Sequence, residues 1–152
     1  MARSQGKDSR PASQRVGLKA YKHPDRFGEL LGYESLKVDR KKNRGLARLK
    51  IREQHLSPAN RVHGGVISAC FDVALGLAVF STMEQWEVCS TVELKVNYLK
   101  PIHLGDVLIF KSEVDFRGKR LCVVHSYAYK NGEKTPTAMA SGTYYVITTH
   151  AT

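Results

Sequence analysis

The residues best equipped for chemistry in this chain are Asp72 and the His63-Gly64-Gly65 triplet that lies just upstream of it. From Val66 to Phe80 the sequence reads VISACFDVALGLAVF, fifteen residues of which only Ser68, Asp72 and Gly76 are not apolar. Burying even a neutral polar group without partners costs roughly 2–7 kcal/mol, and a carboxylate costs more. Either Asp72 caps a turn or meets water, or it is a reacting carboxylate kept in a largely apolar pocket. The triplet favours the second account. The first turn of a helix leaves its N–H groups unpaired, and glycines let a substrate oxygen approach them closely. With the helix dipole, these amides suit a developing oxyanion. Asp72 lies about two turns further along, on roughly the side of Gly65 and Ser68. A carbonyl held at one end and a base or nucleophile at the other is the minimum apparatus for acyl transfer.

These residues need a helix and a frame to hold it. The apolar run predicts a helix from about Gly64 to Met83, apolar on all sides and therefore wrapped by other structure. Ahead of it, Pro24-Asp25 and RFGELLG predict a short helix with Asp25 at its start and Gly32 at its end. Tyr33–Asp39 and Gly45–Glu53 alternate apolar and polar residues around the turn Arg40–Arg44, which predicts a basic hairpin. After the helix every segment has period two. Trp86, Val88, Val92, Leu94, Val96 and Tyr98 are expected on one strand face, with Glu87, Thr91, Glu93, Lys95 and Asn97 on the other. Val107–Phe116, Leu121–Lys130 and Ala138–Ile147 follow, joined by Arg117-Gly118-Lys119 and by the hairpin signature Asn131-Gly132. The expected class is α+β, an antiparallel sheet wrapped around one long central helix.

The 152 residues fit one domain, expected over 21–152, behind a flexible basic arm over 1–20. Net charge is +10 and uneven: residues 1–52 hold 15 Lys/Arg against 5 Asp/Glu, and the remainder is balanced. That field can attract nucleic acid, anionic lipid or a phosphate-bearing ligand, or simply be a solvated tail and hairpin. Cys70, Cys89 and Cys122 form no C-x-x-C pair and read as buried small hydrophobes in a reducing compartment. A nucleophilic Cys70 has only His63 nearby as base and no basic neighbour to lower its pKa. His55, His103 and His125 make no metal pattern, so neither metal nor cofactor is expected. With no apolar segment of signal-peptide length at the N-terminus and no membrane span, the expectation is a cytoplasmic protein.

The stretch LSPANRVHGGVISACFDVALGLA, followed by STVELKVNYLKPIHLGD, resembles the hotdog-fold acyl-CoA thioesterases of the PaaI-like group, within the 4-hydroxybenzoyl-CoA thioesterase superfamily. The resemblance runs from about Tyr33 to Ile147. It implies a hotdog fold, homodimers that pair into homotetramers, and active sites at the subunit interface. It implies that the Gly64 N–H polarises a thioester carbonyl of an acyl- or aroyl-CoA, while Asp72 of the other protomer acts as general base or nucleophile. His63 either orders the loop, its usual place in this motif, or serves as an acid. Gly65 is expected beside the substrate. Ser57 stands where the family often has a water-positioning Asn, and Asn60 where it commonly has Gly; Asn also enters the left-handed region. The hydroxyl expected on the strand after the helix falls at Thr91, with Ser90 adjacent. Phosphates of coenzyme A need cations, and Arg117, Lys119 and Arg120 at a strand turn are the candidates.

Two other readings compete. A hotdog hydratase needs an Asp a few residues before a Pro-x-His, which HLSPANRVH does not supply. A non-catalytic acyl-CoA- or nucleic-acid-binding module would use the basic N-terminal third, where no helix-turn-helix pattern is read.

Overall fold

The computed structural model describes residues 10–149. Helix α1 (Ala12–Arg15) and helix α2 (Arg26–Leu31) precede a hairpin of β1 (Glu34–Asp39) and β2 (Arg44–Lys50). A 3-10 turn at Glu53–His55 leads to the long helix α3 (Gly64–Ser81). Strands β3 (Glu87–Tyr98), β4 (Val107–Arg117), β5 (Leu121–Lys130) and β6 (Ala138–Thr148) complete the chain. All six strands form one antiparallel sheet in the order β1-β2-β4-β5-β6-β3. Sheet and helix make the α+β hotdog arrangement expected from the sequence.

Local signals place the elements as read. The Asp25 carboxylate accepts from the Gly28 N–H and caps α2, and Gly32 ends that helix in the left-handed region at φ 71°. Asn131 and Gly132 turn β5 back toward β6 with φ 51° and 77°. Helix α3 is apolar all round because the sheet closes over it: Ile67, Phe71, Leu75 and Leu77 are fully buried against Leu49, Leu108, Phe110 and Val124. Its seat is tight. A Cβ on Gly45 of β2 would lie 2.7 Å from the Leu77 Cβ and 2.8 Å from the Ala78 N, so only glycine lets helix and strand approach this closely.

Residues 10–20, expected to be part of a flexible arm, are packed instead. Leu18 is 2% exposed, and the Tyr21 ring packs at a tilt against Phe80, 5.0 Å between centroids, while its hydroxyl accepts from the Cys89 N–H. The apolar Leu18 and Tyr21 explain the difference, since each buries against the domain. Residues 1–9 of that arm lie outside the described residues.

The face assignment on β3 also needs correction. A bulge between Thr91 and Glu93 inserts Val92 into the ladder with β6. One extra residue reverses the alternation. Cys89 and Thr91 therefore face α3 before the bulge, and Leu94, Val96 and Tyr98 face it afterwards. Val88 and Val92 do not share that face, and Val92 is 61% exposed. Ser90 points away with them.

Candidate active site

Asp72 sits in the middle of α3, half-buried, and its carboxylate is held by two hydroxyls. Thr91 Oγ1 donates to Oδ1 at 2.7 Å, and Tyr144 Oη donates to the same Oδ1 at 2.9 Å. Tyr144 also reaches the Asp72 carbonyl at 2.8 Å. Thr91 and Tyr144 are directly opposed partners on β3 and β6, which is why both side chains rise from the sheet at one point. The second oxygen, Oδ2, makes no hydrogen bond among the described residues. Burial, then the Asp72 charge, pushes the Tyr144 phenol well above its ordinary range, so it remains a donor.

The other half of the site is the start of α3. His63 is the N-cap, and its Nδ1 accepts from the Gly65 N–H at 2.9 Å. An accepting Nδ1 carries no hydrogen, which leaves Nε2 as the ring's donor. The Gly64 N–H has no acceptor among the described residues. Its carbonyl accepts from Tyr98 Oη at 3.0 Å, which leaves Ser68 Oγ as donor to that same phenol at 2.5 Å. Gly64 borders a cavity of about 430 Å³ with Val62, Ile67, Tyr98 and Ile102, and Arg61 and Lys100 at its edge. Behind it, buried His55 braces the loop: Nδ1 accepts from the Arg52 N–H, Nε2 meets the Leu31 carbonyl, and its own carbonyl accepts from the His63 N–H.

This constellation joins a free amide at a helix start to a clamped carboxylate on the same helix. The family model described as Thioesterase superfamily matches residues 59–137, which contain His63, Gly64, Asp72 and Thr91 but not Tyr144. The chain belongs to the thioesterase superfamily. Human acyl-coenzyme A thioesterase 13 is 26% identical over 109 residues, covering 72% of this chain and 76% of that protein. A hypothetical thioesterase of Streptococcus pneumoniae TIGR4, solved with coenzyme A, superposes with a TM-score of 0.69 at 26% identity, covering 78% of this chain and 91% of that one. PaaI of Escherichia coli, from the phenylacetic acid degradation operon, shares the fold with a TM-score of 0.75 at 20% identity over 90% of this chain and 96% of its own. The thioesterase is thus PaaI-like in architecture.

The other residues expected at the site of this thioesterase have the following surroundings. Ser90 is on the outer face, turned there by the bulge. Gly65 has its amide taken by His63, so only Gly64 offers a donor. The Ser57 hydroxyl makes no hydrogen bond among the described residues; its backbone closes the turn Ser57–Asn60, with Asn60 left-handed at φ 56°. Arg117 is not free for a phosphate. Its guanidinium meets the Glu87 carboxylate at 3.2 and 3.3 Å and bonds the carbonyls of Gly118 and Lys119. Lys119 and Arg120 stay exposed, with Arg120 on the Tyr145 hydroxyl at 3.1 Å. Cys70 is buried, and burial pushes its thiol up to about 12, so it is no nucleophile at neutral pH. Among the described residues no group of three His, Cys, Asp or Glu is placed to hold a metal.

Two members of the site were not read from the sequence. Tyr144 lies 72 residues beyond Asp72, and only the strand pairing brings it back. Tyr98 follows from the strand alternation, but nothing in the sequence signals its contacts with Gly64 and Ser68.

Proposed function

We propose that this thioesterase hydrolyses an acyl- or aroyl-CoA thioester to the free acid and coenzyme A, at composite sites shared by two protomers. The observation that carries the reading is the clamped Asp72 carboxylate, on a helix whose first N–H, like Asp72 Oδ2, has no hydrogen-bond partner among the described residues. The coenzyme A bound to the pneumococcal relative supports the thiol half of the substrate.

Helix geometry supports the composite site. Eight residues at about 1.5 Å each set Gly64 and Asp72 roughly 12 Å apart along one axis. Reacting atoms stand about 3–3.5 Å apart, so one carbonyl cannot rest on the Gly64 amide and meet Asp72 of the same helix. This spacing supports a carboxylate supplied by a second copy. Strand β3 is an edge of the sheet, and its exposed Val92 and Tyr98, with Leu99 just beyond it, suit edge-to-edge pairing with a second β3. The pairing of dimers into a tetramer is carried into this reading from the resemblance. Three free cysteines support a reducing, cytoplasmic setting.

In this reading the carbonyl oxygen accepts from the Gly64 N–H at a helix N-terminus, where negative charge is favoured. Asp72 Oδ2 takes a proton from water as the water oxygen adds to the carbonyl carbon, or it attacks directly and forms a mixed anhydride that a water then cleaves, freeing the acid and the carboxylate. In either route the C–S bond breaks and the thiolate of coenzyme A leaves, collecting a proton to become the thiol. Free thiol released from a panel of acyl-CoA substrates tests the activity. The Asp72→Asn variant is expected to lose at least 10²–10³ in kcat, on the scale of lost charge stabilisation in acyl transfer. Wild-type turnover by Asp72→Asn would exclude the reading.

A further inference from the structure

We infer that Tyr144 is a positioning residue of the reaction, acting with Thr91 to fix the plane and rotamer of the Asp72 carboxylate so that Oδ2 is the oxygen presented to the substrate.

A buried tyrosine hydroxyl needs a partner, and a core phenol usually finds a distant backbone carbonyl. Tyr144 is 3% exposed, and both of its acceptors belong to one residue, the carbonyl and the carboxylate of Asp72. The one phenolic hydrogen is shared between the backbone and side-chain oxygens of Asp72, and this three-centre bond restrains the torsion about the Asp72 Cα–Cβ bond. Thr91 adds a second donor to Oδ1 from the opposed strand position. Two donors on one oxygen and none on the other leave the carboxylate asymmetric. Any turn of the side chain would forfeit a charge-assisted bond. The phenol is buried and its hydrogen bonds go to the carbonyl and Oδ1 of Asp72, so it acts through the carboxylate rather than on the thioester.

This inference rests on the hydrolytic role of Asp72 proposed above. Tyr144→Phe keeps the buried ring and removes only the hydroxyl. The expected result is a kcat reduced roughly 10–100-fold, the scale of a misplaced reacting group, with KM within about twofold of wild type. In an Asp72→Asn background the same substitution should change residual turnover less than about twofold, because the group it positions is already gone. A Tyr144→Phe enzyme with wild-type kcat, or an equal loss in both backgrounds, would overturn the inference. If the wild-type protein hydrolyses no acyl-CoA, the functional reading fails by itself. The positioning claim is then decided by a crystal structure of Tyr144→Phe/Thr91→Val: a rotated Asp72 side chain supports it, an unmoved one overturns it.

Discussion

Thr91 Oγ1 stands 2.7 Å from Asp72 Oδ1, and it does so only because β3 carries Val92 as an extra residue one position later. The bulge keeps Thr91 on the helix side while Leu94 and Val96 still pack into the core beyond it. Bulges are common beside active sites for this reason: they re-aim one side chain without giving up the strand. Thr91→Val keeps the β-branched shape that suits a strand and removes the hydroxyl. A hydrogen bond to a charged group is worth about 1.5–3 kcal/mol, so kcat is expected to fall roughly 10–100-fold at nearly constant KM. Thr91→Ser should recover most of it. Steady-state kinetics on the three proteins would decide, and full activity in Thr91→Val would refute the contact's role.

His63 has a separable duty. Its Nδ1 caps α3 through the Gly65 N–H, and its main chain is tied to His55. Loss of a side-chain N-cap costs about 0.5–2 kcal/mol. For a chain of this length each kcal/mol moves Tm by roughly 2–4 °C. His63→Ala is therefore expected to melt a few degrees lower, and His63→Asn, which restores a capping oxygen, to regain most of the loss. Thermal unfolding followed by circular dichroism measures both. Equal Tm values for wild type and His63→Ala would mean that the cap contributes nothing.

Much of this architecture is legible in the chain. The run from Val66 to Phe80 fixes α3 because nothing but a wrapped helix buries so many apolar residues in a row. Asp25, Gly32 and Asn131-Gly132 mark ends and turns through their own local chemistry. Asp72 and Gly64 stand out because a lone carboxylate and a glycine pair have no packing purpose there. The parity of β3 is not legible. STVELKVNY alternates equally well through Val92, and an extra residue in a ladder is defined by the partner strand, not by its own sequence. Tyr144 is hidden for the same reason: its neighbours Thr143 and Tyr145 also carry hydroxyls, and only the register against Thr91 selects it. Arg117 misleads because its charge is visible and Glu87, its partner, is 30 residues away.

The buried thiols give a prediction in alkali. Burial raises Cys70 from 9.0 to about 12 and Cys122 from 9.0 to about 11. The fold thus favours the protonated thiol, and an unfolded chain ionises it first. The stabilisation is complete below about pH 9 and is lost as pH climbs through the folded values, by at most about 1.4 kcal/mol per pH unit for one group. Tm is expected to decline from pH 9 to 11. Cys70→Ala should melt lower at pH 8, because of the cavity it leaves, yet decline less steeply above pH 9. An identical slope in the two proteins would show that Cys70 does not titrate this way.

Because Gly64 and Asp72 lie about 12 Å apart on one helix, the proposed site predicts complementation between inactive subunits. Gly64→Ala should fold: the new Cβ would meet Tyr98 at 3.4 Å, an ordinary contact, and alanine favours a helix more than glycine does. The methyl narrows the approach to the amide and is expected to depress activity without lowering Tm. Asp72→Asn removes the proposed reacting carboxylate. When the two are unfolded together in equal amounts and refolded, about half of the dimers are mixed. In a mixed dimer one site combines Gly64→Ala with Asp72→Asn, and the other pairs an intact Gly64 with an intact Asp72. About a quarter of wild-type activity should therefore return, well above that of either parent refolded alone. If each protomer instead completes its own site, every site keeps one lesion and mixing restores nothing.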